Sequence, residues 1–97
     1  MKGVSRLSTR LSLMHIVEIW SIPYERIRDF FLAQDDVRIL EEGCFSCGQC
    51  EVRLLSLPFR RVGRFSFPQT YVEFSGPDTD TEKIHRRFVL QFTSAGG

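Results

Sequence analysis

No apolar run in the 97 residues reaches the ~18 that a membrane-spanning helix requires, and no apolar stretch with a cleavage site follows the start. Membrane insertion and secretion are therefore not expected, and a cytoplasmic setting is. Charge of one sign is also scarce: 13 basic and 12 acidic residues leave a net charge of +1, too little for a dedicated polyanion binder. Lysine is nearly absent, with eleven of those basic residues being arginine. Catalytic signatures are missing as well. There is no G-x-S-x-G elbow, no H-E-x-x-H pair and no glycine-rich phosphate loop. Only two histidines occur, His15 within an apolar run and His85 in a polar segment, and the adjacent Glu41 and Glu42 would face opposite sides of a strand. These absences predict a protein that is not an enzyme.

What is present predicts one small α+β domain over residues 14–97, preceded by an N-terminal arm over 1–13. The arm, MKGVSRLSTRLSL, is basic and acid-free, with Val4, Leu7 and Leu11 at helical spacing, an amphipathic pattern like that of a presequence. Leu13 to Trp20 is β-branched and aromatic, a buried or half-buried strand. Pro23 then opens a helix in which Tyr24, Ile27, Phe30 and Phe31 recur at three- and four-residue steps, ending near Gln34. A strand from Val37 to Phe45 and another from Cys50 to Leu57 are expected to form a hairpin around a Cys47-Gly48 turn, setting Glu42 opposite Arg53 and Gly43 opposite Val52. Pro58 is expected to close that hairpin, Arg60 to Gly63 to form a basic turn, and Phe65 to Phe74 to add a strand bent at Pro68. Thr79-x-x-Glu82 has the spacing of a capping box. The four-residue steps of Ile84, Phe88 and Phe92 predict a last helix from about Asp80 to Ser94, although VLQF would also suit a strand. The predicted order is β-α-β-β-β-α, an antiparallel meander with two covering helices.

Three clusters could carry chemistry. Cys44-Phe-Ser-Cys47-Gly48-Gln-Cys50 resembles one zinc knuckle of ribbon and rubredoxin-like proteins, and also part of a ferredoxin cluster motif. The resemblance implies Cys44, Cys47 and Cys50 as ligands, with His15 or His85 completing the set. A β-hairpin carrying three free thiols is the competing expectation, because strand alternation sets Cys44 and Cys50 on opposite faces. Arg60, Arg61 and Arg64 lie among Phe59, Phe65 and Phe67, residue types that bind phosphates and stack on bases; Arg86 and Arg87 could extend the patch. Set against these are the nearby acids, which leave nucleic acid the less expected partner. Finally, Gly96-Gly97 at the end of the chain looks like the tail of ubiquitin-like sulfur carriers, which implies a terminal carboxylate activated as an adenylate and a thiocarboxylate. A helix held by Phe88 and Phe92, stopped by Gly96, would exclude that arrangement. Twelve aromatic residues in so short a chain exceed what one core readily hides. The leading expectation is thus a cytoplasmic binding module without catalysis or cofactor that self-associates, as a homodimer, or meets another protein.

Overall fold

The computed structural model describes residues 12–93. The diglycine and nearly all of the expected N-terminal arm lie outside them. In chain order the elements are β1 (Leu13–Trp20), α1 (Tyr24–Leu32), β2 (Val37–Glu41), β3 (Cys44–Cys47), β4 (Cys50–Val62), β5 (Phe65–Pro77) and α2 (Asp78–Thr93). The five strands make one antiparallel sheet in the order β1-β5-β4-β3-β2, with both helices on one face. This is the expected α+β class with one strand more than predicted.

The extra strand arises at Gly43. The segment from Val37 onward is not continuous; it turns at Glu42-Gly43 so that β2 pairs back on β3, Ile39 facing Phe45. Gly43 adopts φ 79°, and a Cβ there would lie 2.9 Å from the Leu54 carbonyl oxygen. Only glycine fits that approach without a shift. The next turn is displaced by one residue from the prediction. Gly48 (φ 64°) and Gln49, not Cys47 and Gly48, form the loop, with positive φ at the first central position as a type II′ turn demands. Val52 therefore faces Phe45, and Arg53 faces Cys44 rather than Glu42.

Pro58 does not end the hairpin. β4 runs on to Val62, and the register shifts between Leu57 and Arg60, so that Pro58 and Phe59 together oppose Pro68. A bulge is where a residue lacking an N–H costs least, and here it absorbs both prolines. The reversal falls at Gly63-Arg64, Gly63 having φ 62°, one step beyond the basic turn expected at Arg60 to Gly63. Two thirteen-residue strands result. β1 pairs β5 only from Thr70 to Pro77, and β3 pairs β4 only from Cys50 to Arg53. Beyond those limits, among the described residues, β4 and β5 have only each other and project as a two-stranded arm.

The helices cover the other end. Ile27 and Phe31 of α1 and Ile84 and Phe88 of α2 are buried against Val52, Val72 and Phe74. Phe88 is the hub: its ring centroid lies 5.0 Å from Trp20, 5.7 Å from Phe31, 5.6 Å from Phe74 and 5.2 Å from Phe92. Burying such a side chain contributes about 1.5–3 kcal/mol from apolar transfer. Helix, not strand, is thus the state of residues 87–93. The capping box does not form, because α2 starts earlier: Thr79 lies inside it, its hydroxyl donating to Asp78 Oδ1 at 3.4 Å, and Glu82 pairs with Arg86. The first turn is anchored instead by the Asp78 N–H, which donates to the Ser12 carbonyl at 3.0 Å.

Candidate interaction surface

Strand alternation divides the sheet into a helix-covered face and an open one. On β1, Met14, Ile16, Glu18 and Trp20 turn toward the helices, while Leu13, His15, Val17 and Ile19 are exposed. The registers of β1, β5 and β4 align the open face into rows. Ile19, Tyr71 and Leu55 form one; Val17, Glu73 and Arg53 the next; His15, Ser75 and Glu51 the third. In the first row Ile19 is 58% and Leu55 56% exposed, although both are apolar.

That apolar row leads into the arm. Toward the tip, the two-residue steps of β5 run from Tyr71 through Gln69 to Phe67 and Phe65, whose ring centroids lie 6.4 Å apart, so both phenylalanines continue the open face. Val62 faces Phe65 and Arg60 faces Phe67. Phe65 is 61% exposed and Phe59, in the bulge, 64%. The three predicted arginines share the arm but not one face: Arg61 pairs with Ser66, on the opposite side from Arg60, and Arg64 occupies the turn. No carboxylate occurs from Leu54 to Val72, so the arm carries three positive charges and the rest of the chain two net negative ones. Arg86 and Arg87 belong to α2 and extend no patch on the arm; Arg86 pairs with Glu82 and Arg87 with Asp36.

The cysteines are divided. Cys47 and Cys50 face each other across the hairpin and enter the core, whereas Cys44 is opposite Arg53 and outside the core cluster. All three are free and buried. Burial, reinforced by Cys50 and Asp36, pushes the Cys47 thiol up to about 12, and burial also raises that of Cys50. Such thiols hold their protons, whereas metal ligation needs thiolates. No group of three or more His, Cys, Asp or Glu side chains with metal-binding geometry occurs among the described residues.

The histidines are each held by a carboxylate. His15, on edge strand β1, meets Glu73 at 2.5 Å, and this bond draws the Glu73 carboxyl below its ordinary value. Glu18 accepts from Trp20 Nε1 at 2.8 Å and contacts His85 Nε2 at 3.0 Å, tying β1 to α2. The clefts between elements are small, about 200 Å³ beside Cys47, Asp36 and Asp80 and about 130 Å³ between α1 and the base of the arm, and the two larger depressions, about 390 and 330 Å³, lie open along the outer side of α2 rather than enclosed. Ligand pockets usually span roughly 300–1,000 Å³. No helix among the described residues is long and apolar enough to cross a membrane. Comparison with protein families and with curated proteins gives no match to this chain. The geometry alone therefore directs attention to a surface, the open face and its arm. Sequence reading found the arm's arginines and phenylalanines but missed the Ile19–Tyr71–Leu55 row, which exists only through the register.

Proposed function

We propose that this protein is a small binding module that works without catalysis, by self-association through the open sheet face and the β4–β5 arm. The observation that carries the reading is the alignment of exposed apolar side chains on one face, Ile19 and Leu55 in the body and, past the Leu57–Gln69 row, Phe67 and Phe65 in the arm, all four at least 41% exposed. Clustered exposed apolar surface of this kind marks an interaction site. Three free thiols suit a reducing compartment, which supports a cytoplasmic setting. Sedimentation velocity across the micromolar range tests the reading: the wild type should show concentration-dependent dimerisation, and F65S/F67S should sediment as a folded monomer. A wild type that stays monomeric throughout overturns it.

A second reading has its own support in the acid-free, three-arginine arm, which offers a nucleic acid both phosphate partners and aromatic stacking surfaces. It requires salt-sensitive binding to a single-stranded oligonucleotide, with a shallower salt slope when Arg60, Arg61 and Arg64 are replaced by alanine. Absence of binding at about 50 mM salt removes it.

A further inference from the structure

Resting on the self-association reading, we infer that the partner is a second copy laid face to face and antiparallel, with each arm covering the sheet of the other. The open face is ordered by charge along the strands. At its centre lies the apolar row Ile19–Tyr71–Leu55. Two rows toward α2, Glu51 stands beside Ser75 and His15; two rows toward the tip, beyond the bulge, Arg60 stands beside Phe67. The acidic and basic ends are therefore about equally far from the centre, roughly 13 Å at 3.3 Å per residue.

A two-fold axis lying between the two sheets and crossing the strands along the central row keeps β4 over β4 and β5 over β5 while reversing their direction. Each Arg60 then reaches the Glu51 of the second copy, and the symmetry makes the contact twice. The receiving end is shaped for it: Glu51, Arg53, Glu73 and Ser75 line a polar depression of about 130 Å³. Arg53 in that depression sits in the same row as Glu73, which offsets its charge. One row further out, Phe65 falls over Pro77 of the second copy, beside that copy's Leu13, which is 75% exposed. Ile19 and Leu55 then meet their own counterparts and Arg60 meets Glu51, at the approximately 10 Å spacing of stacked sheets, while the Arg53–Glu73 row between them faces Leu57 and Gln69. Stacking in the opposite sense, arm on arm, would bring the two Arg60 residues together and leave both Glu51 residues without a cation.

Charge reversal tests this arrangement. Arg60 and Glu51 are both exposed, so R60E, E51R and the double variant should keep the wild-type circular dichroism spectrum. Each single variant should weaken dimerisation about tenfold or more, since like charges across an interface are strongly disfavoured. R60E/E51R should return the dissociation constant to within about threefold of wild type. Singles that dimerise as well as wild type, or a double variant no better than the singles, overturn the antiparallel arrangement while leaving self-association standing. A monomeric wild type removes both. A monomeric wild type that binds an oligonucleotide, and loses it in R60E, reassigns the arm to a polyanion.

Discussion

Replacing Phe88 by alanine should be among the most damaging single changes in this protein, and replacing Phe65 among the mildest. Phe88 is fully buried and within ring contact of Trp20, Phe30, Phe31, Phe74 and Phe92. Truncation at such a site removes the transfer term and leaves a cavity, together about 3–5 kcal/mol. A chain of this length has a total stability of about 5–15 kcal/mol, so about a fifth or more would be lost. At about 4–8 °C per kcal/mol, the melting temperature should fall by roughly 12–40 °C. Phe65 is 61% exposed and its removal should cost no more than about 0.5 kcal/mol in the isolated chain. Thermal unfolding followed by circular dichroism, in protein dilute enough to be monomeric, separates the two. The F65A melting curve should overlay wild type within about 4 °C. A fall of less than about 5 °C for F88A, or equal losses for both variants, would refute the division of aromatics into core and arm.

Other outcomes follow from particular contacts. Among the described residues the Thr81 hydroxyl is buried with no nitrogen or oxygen partner and lies beside the Cys50 thiol, so T81V should be neutral or stabilising by up to about 1 kcal/mol in urea unfolding. A loss exceeding about 1 kcal/mol would show that the hydroxyl–thiol contact matters. Cys47, pushed up to about 12 from 9.0, should react with iodoacetamide about a thousandfold more slowly than an ordinary thiol until the protein unfolds; rapid native labelling would contradict its burial. Because the bond from His15 lowers the Glu73 pKa below its ordinary 4.5, its stabilisation is present above that value and is lost as pH falls through the lowered folded value. In H15A, carbon-detected NMR titration should place Glu73 higher than in wild type, and the stability gap between the two proteins should close in acid. An unchanged Glu73 titration would deny the pair its role.

Much of the fold was legible because its signals are local. The alternation of LMHIVEIW and the three- and four-residue steps of Ile27 and Phe31, and of Ile84, Phe88 and Phe92, need no knowledge of partners. The errors cluster where a local cue has two meanings. Gly43 reads equally as a strand residue or a turn, and only the close approach of the Leu54 carbonyl decides. Pro58 reads as a terminator, yet a bulge opposite Pro68 lets the strand pass through it. Thr79 and Glu82 have capping-box spacing, but the helix begins at Asp78. The candidate surface was half visible: the acid-free run around Arg60 can be read directly, whereas the exposure of Phe65 and Phe67 cannot. Alternation names two faces without saying which has cover. That depends on the helical layer, and α2, with sixteen residues at about 1.5 Å each, covers only the body of the sheet.

Isotope-filtered NMR on a mixture of labelled and unlabelled protein reads out which surfaces of two copies touch. Intermolecular NOEs are expected from the Phe65 ring to Leu13 and from Ile19 and Leu55 to their own counterparts, with none to the exposed side of α2. Intermolecular contacts confined to α2, or a concentrated sample with none at all, would contradict self-association through the open face and arm.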